Sequence, residues 1–297
     1  MATTEKAIVT PGTTGKLVAA DYLVLLLLSA IWGASFLFLR IAAPQFGPVL
    51  LIELRVLFGL LFLLPVFLLR GKFSHVVDNW RTILVIGLLN MAVPFTLLAF
   101  ATLSITAGYA SILNATVPFF TAIVAFLFFQ ERIPAVGVLG LIVGFSGVVV
   151  LVLDPTSTIS PGGNLLAILA GLSASLLYGV AAVFVVRKLP GVSGLAITVT
   201  SLFFSALFLL PFALLQLPES LPTGWVWLAV IALGSICTGL AYVLFYRLIA
   251  RIGSYRTVTV TFLVPAFSML WGYLLLDETV TLLMLLGCVL VLLGVGM

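Results

Sequence analysis

A few residues of this 297-residue chain set a polar group beside a helix-distorting proline, and they recur at one distance. Asn114 stands four residues before Pro118 and Thr261 four before Pro265, and the two pairs are 147 residues apart (114 to 261, 118 to 265). A proline inside a helix cannot donate to the carbonyl four residues back, so it frees the carbonyls of Asn114 and Thr261 and bends the axis. Asn90 bears the same relation to Pro94. In an apolar medium such groups need another helix, water or a ligand ammonium as partner. For Asn90 and Asn114 the competing reading is hydrogen bonding between packed helices.

Aromatic rings with polar edges form a second set: Trp32, Tyr178, Tyr242 and Tyr246, the last two on one helix face. Such rings can stack on a flat substrate and hydrogen-bond its polar end. Ser35 and Ser175 could add hydroxyls, although hydroxyls of this size are also common at packed interfaces. The expected substrate cavity therefore comprises Trp32, Ser35, Asn90, Asn114, Ser175, Tyr178, Tyr242, Tyr246 and Thr261, with Pro118 and Pro265 as hinges. Three charged residues, Arg40, Glu53 and Arg55, fall near the outer ends of the first two apolar runs. They are expected to pair with one another or snorkel at a rim, with an external gate or a titrating role for Glu53 as the alternative.

The groups that catalysis would need are missing. One histidine, His75, and two cysteines, Cys237 and Cys288, are too few for a nucleophile–base set or a metal site. No metal and no cofactor are expected, and an intramembrane enzyme is the disfavoured reading.

The elements that hold these residues are apolar helices. Hydrophobic residues make up 63% of the chain and charged residues 7%, whereas a soluble domain is about 45–50% apolar and about 25% charged. The chain is an integral membrane protein. A span needs about 20 apolar residues, and ten fit: near 20–40, 47–69, 81–100, 105–129, 135–153, 163–186, 193–215, 224–247, 254–275 and 279–296. Residues 1–19 read as a polar cytoplasmic tail with no cleaved signal. Alternating the loops puts eleven of the thirteen basic residues on the side of the N-terminus, so both termini are expected in the cytoplasm. That distribution accounts for the basic excess without a nucleic-acid partner. The expected partners are a small-molecule substrate and the lipid bilayer, with a monomer expected and a dimer left open.

The shift of 147 residues also carries Arg40 onto Arg187, Trp80 onto Trp227, Phe120 onto Phe267, Glu131 onto Glu278, Gly140 onto Gly287 and Gly147 onto Gly294. Trp32-Gly33 falls on Tyr178-Gly179 with one residue dropped. So many matches at one offset mark a duplication, with repeats at 20–153 and 163–297. Five spans per repeat is an odd number, so the second copy enters the membrane inverted. Inverted repeats place a substrate site between the halves and provide two equivalent arrangements for alternating access. The expected fold is an all-α bundle of ten transmembrane helices, built as two inverted five-helix repeats around a central cavity.

Pro118/Glu131 and Pro265/Glu278, each a proline followed thirteen residues later by a glutamate, precede glycine-rich helices in this ten-span frame. This resembles the drug/metabolite transporter superfamily, its EamA-type branch, and most of all the YddG-type exporters of aromatic amino acids. The resemblance implies export of small metabolites through a central cavity. Buried lysines suited to phosphate are absent, which favours a neutral or zwitterionic substrate. A lipid or drug flippase of the same fold is the alternative.

Overall fold

Hydrocarbon offers no water to backbone N–H and C=O groups, so a chain this apolar satisfies them inside helices. The computed structural model describes residues 18–70, 73–154, 164–220 and 222–297, and every regular element among them is helical. The expected tail and the loop near 154–163 lie mostly outside the described residues, as do Lys6, Lys16 and Lys72. In chain order the helices are α1 (Ala19–Phe46), α2 (Pro48–Arg70), α3 (Phe73–Ala101), α4 (Ala107–Phe129) and α5 (Ala135–Val152). They continue as α6 (Asn164–Lys188), α7 (Gly194–Leu214), α8 (Gly224–Ile252), α9 (Arg256–Leu276) and α10 (Leu282–Gly296).

Nine of these are long and apolar enough to cross a membrane; α10 has 15 residues, a length of about 22 Å at helical rise. It starts three residues later than expected because Thr279–Thr281 are extended and Thr281 caps the helix, accepting the Met284 N–H at 3.0 Å. At the other extreme, α3 begins at Phe73, well before the expected start near 81, because Phe73 packs its ring on Phe67 with centroids 4.9 Å apart.

The duplication is visible in the backbone. A π-helical turn at Leu88–Ala92 interrupts α3, and a second at Ser235–Leu240 interrupts α8, their first residues 147 apart. Helix α4 ends on Gln130 (φ 55°) and α9 on Asp277 (φ 53°), again 147 apart. In each case the following N–H turns back, Glu131 to the Ala125 carbonyl at 3.3 Å and Glu278 to the Gly272 carbonyl at 3.1 Å. A left-handed residue that returns the chain in this way stops a helix, and neither position is glycine.

The two repeats exchange their packing. Gly33 of α1 lies on α9, where an added Cβ would come within 2.7 Å of the Phe267 Cβ and 2.9 Å of the Ser268 nitrogen. Its counterpart Gly179 of α6 lies on α4, where a Cβ would come within 2.8 Å of the Thr121 nitrogen. The same crossing pairs α5 with α10, Gly140 against Gly294 and Gly147 against Gly287. Small residues that let backbones touch are the means by which membrane helices associate, and these glycines serve contacts within one chain.

Gly33→Val and Gly179→Val are therefore expected to part the exchanged helices at a cost of about 1–3 kcal/mol each. Thermal unfolding of the detergent-solubilised protein would show lowered midpoints. Gly224→Ala, where a Cβ meets nothing within 4 Å, is the control and should leave the midpoint in place.

Candidate functional site

Two aromatic pairs face the middle of the bundle, one contributed crosswise by each repeat. Trp32 of α1 lies edge-on to Tyr242 of α8 (centroids 6.4 Å apart, planes at 74°), and Tyr178 of α6 leans on Phe95 of α3 (6.3 Å, 60°). Tyr242 is Phe95 displaced by 147 residues and Tyr178 is Trp32 displaced by 146, so the pairs are counterparts. Phe95 and Tyr242 each follow a π turn, and the extra residue of such a turn re-aims the side chains after it. Trp32, Tyr178, Tyr242 and Tyr246 all keep part of their surface exposed, although the three tyrosines lie deep in the protein. Tyr246 stacks on Tyr242 at 5.9 Å, and its phenol is hydrogen-bonded to Thr198 of α7.

Arg55 joins this cluster, and its placement corrects the expectation of a rim residue. Its side chain is 6% exposed, Cζ lies 3.6 Å above the Phe95 ring, and Nε donates to Thr238 Oγ1 at 3.1 Å. Thr238 stands in the π turn at the middle of α8. Arg55 starts in the first third of α2, and its long stem carries the charge to mid-height. Among the described residues the expected pairing of Arg55 with Glu53 does not form. Residues two apart on a helix point to different faces, so Glu53 is buried separately, with Oε2 lacking a hydrogen-bond partner. Arg40 pairs with Glu278.

The polar residues divide. Helix α4 breaks at Ala115–Thr116, just before Pro118, so the expected kink is a full interruption. Asn114 ends the first segment, and its Oδ1 is buried without a partner. Asn90 sits in the π turn of α3, partly exposed. Ser35 is buried beside Cys237. Ser175 is fully buried and donates to the Leu113 carbonyl at 2.9 Å, so it ties α6 to the break in α4 and does not line a cavity. Ser29, which the sequence reading passed over, makes the matching tie from α1 to the Val260 carbonyl at 3.1 Å. Its signal was the same 146-residue displacement that relates Trp32 to Tyr178. Thr261 is exposed and donates back to Val258 within its own helix. Pro265 is buried inside a continuous stretch of α9 whose interruption comes earlier, at Thr259.

Two ion pairs close the list, and both cross between repeats. Arg40 of α1 faces Glu278, after α9, at 3.5 Å, and Arg187 of α6 pairs with Glu131, after α4. Both partners of the second pair are those of the first displaced by 147 residues. Their surroundings differ. Glu278 is 11% exposed, accepts the Ala107 N–H at 2.9 Å, and lies beside the Ser268 hydroxyl, which donates to the Ala107 carbonyl at 2.9 Å. Burial pushes the Glu278 carboxyl up, against the pull of the Ala107 N–H and Arg40. Glu131 is 54% exposed. Thr121, the counterpart of Ser268, donates to Val117 within its own helix. A cleft of about 230 Å³ opens here between Pro118, Phe119, Glu131, Arg132 and Gly294, and its counterpart of about 420 Å³ lies at the Glu278 end between Ala266, Met269, Tyr273, Val280 and Leu285. The Arg40–Glu278 contact is the buried one of the two and the Arg187–Glu131 contact the exposed one.

The EamA-like transporter family model matches this chain twice, over residues 20–153 and 165–297. The chain belongs to the EamA-like transporter family. It is 24% identical to the uncharacterized transporter YoaV of Bacillus subtilis over 90% of this chain and 92% of the relative. An uncharacterized transporter of Archaeoglobus fulgidus is 26% identical over 92% and 96% of the two chains. Protein PecM of Dickeya dadantii is 24% identical over 84% of this chain and 82% of its own. A crystal structure with 20% identity superposes with a TM-score of 0.65, covering 94% of this chain and 96% of the other, which shows the common fold. Relatives named as transporters place this family member among membrane transporters, where a catalytic set is not required.

The unequal ends predict unequal costs of neutralising the two glutamates. Glu278→Gln should destabilise by about 1–3 kcal/mol, since it weakens a buried charge-assisted network. Glu131→Gln should stay within about 0.5 kcal/mol, as exposed pairs do. Denaturation midpoints of the two variants in one detergent give the comparison.

Proposed function

We propose that this EamA-like protein exports small zwitterionic metabolites, amino acids including aromatic ones, from a bacterial cytoplasm by alternating access. The observation that carries this reading is the pair of counterpart Arg–Glu contacts in unlike states. A twofold-related protein whose counterpart contacts are unequally buried has a mirror state of comparable energy, in which the contacts trade surroundings. Exchange between the two states exposes the centre to each side in turn. On the orientation that the loop charges favour, the exposed Arg187 contact faces the cytoplasm.

The substrate reading rests on the centre. Three rings, Trp32, Tyr178 and Tyr242, offer apolar faces with polar edges beside the buried Phe95. The unmatched Asn114 oxygen at the break of α4 can receive an ammonium hydrogen. Among the described residues no acidic side chain joins this cluster, which supports transport down the substrate gradient. The break at Ala115–Thr116, with Pro118 following, is where α4 bends during the exchange.

The test is uptake into liposomes holding the purified protein, with labelled phenylalanine, leucine and a phosphorylated sugar and no ion gradient. Saturable amino-acid uptake is expected. Uptake only under a proton gradient would overturn the facilitated mechanism, and uptake of the sugar phosphate alone would overturn the substrate class. Asn114→Ala and Pro118→Ala should each lower the rate about tenfold at unchanged membrane insertion. Unaltered rates in both would remove α4 from the mechanism.

A further inference from the structure

The centre of the bundle holds a cation that the fold does not need. Displacing Arg55 by 147 residues lands on Leu202, which is fully buried in α7. The same architecture is thus satisfied by an aliphatic side chain in one repeat and carries a guanidinium in the other. Burying an arginine costs several kcal/mol unless an anion or strong acceptors meet it. The ion pairs among the described residues join Arg40 to Glu278, Arg187 to Glu131 and Arg251 to Asp21. Arg55 is in none of them.

What holds Arg55 orients it without neutralising it. Phe95 lies under the guanidinium plane at 3.6 Å, and Nε–H is taken by Thr238 Oγ1 at 3.1 Å. The Thr238 hydroxyl donates in turn to the Leu233 carbonyl at 3.0 Å, which leaves its oxygen free to accept. The two terminal nitrogens make no hydrogen bond among the described residues, and the phenols of Tyr178 and Tyr242 lie within electrostatic reach. A planar fork fixed at one edge and on one face, with its donors unspent, has the geometry that receives a carboxylate bidentately.

We propose that Arg55 is the anchor for the substrate's carboxylate and makes this site select head groups with a single carboxylate carrying an apolar or aromatic body. The inference rests on the transport reading above and deepens it. One positive charge matches one carboxylate, whereas a phosphate monoester brings nearly two negative charges and would need a second cation. Thr238 and Phe95 are positioning residues that hold the fork in register. Selection follows from the penalty of leaving the guanidinium unmatched, so a ligand without the carboxylate is rejected even when its ring fits.

The test uses phenylalanine, its amide and phenethylamine as competitors of labelled phenylalanine uptake in liposomes holding the full chain. For the unaltered protein the acid should compete about a hundredfold better than the amide or the amine. Arg55→Gln should bring that ratio close to one, and Arg55→Lys should restore part of it with KM raised about tenfold. Thr238→Val, which keeps the shape and removes the acceptor, should lower the ratio severalfold and covers the case in which Arg55→Gln does not fold. A ratio near one in the unaltered protein, or a ratio preserved in Arg55→Gln or in Thr238→Val, overturns the anchor while leaving amino-acid transport standing. Absence of phenylalanine uptake by the unaltered protein overturns the substrate reading itself, and the anchor with it.

Discussion

A helix interrupted inside hydrocarbon exposes carbonyls that no water can reach, and the architecture depends on how these are met. Ser175 adds a donor to the Leu113 carbonyl at the break in α4, which Thr116 also meets, and Ser29 adds one to the Val260 carbonyl at the start of α9. In both cases the serine belongs to the opposite repeat. The serine hydroxyls therefore stitch the halves together at the interruptions. Gly33 and Gly179, one turn further along the same helices, bring the backbones close enough for these bonds to form.

This crossing explains why the functional features come in pairs and why their differences carry information. Trp32/Tyr242 and Tyr178/Phe95 are built on the same scaffold, as are the Arg–Glu contacts at the two ends. Where the pairs match, the twofold scaffold is at work. Where they diverge, as Arg55 does from Leu202 or Glu278 from Glu131, the divergence belongs either to a ligand or to the state of the molecule. A duplicated membrane protein thus contains its own reference: each half shows what the other would be without its specialised residue.

Much of the fold was legible in the sequence, because span length and apolar composition report directly on the bilayer and the recurrence of Pro118 and Glu131 fixed the offset. Less of the site was. Arg55 was placed at a rim because its position was counted from the nearest loop, while the length of its stem and the location of Thr238 decide where its charge sits. The π turns that aim Phe95 and Tyr242 have no compositional marker, since Leu88–Ala92 and Ser235–Leu240 share no residue type at matching places except leucine-rich surroundings. Ser29 was hidden by a one-residue slip between the copies. Ser175 was misjudged because a hydroxyl at a packed joint and one in a cavity look alike until the acceptor is known.

The contact of α5 with α10 is the member of this exchange that pairs like with like, and it has a consequence for kinetics. Gly140 meets Gly294 and Gly147 meets Gly287, so the pseudo-twofold axis passes through this seam. A motion that converts one end's arrangement into the other's leaves whatever lies on the axis unmoved. The seam is therefore equally satisfied in both states and cannot bias their populations. Loosening it would raise or lower the barrier for both directions alike, altering turnover while leaving the inward-to-outward ratio where it was.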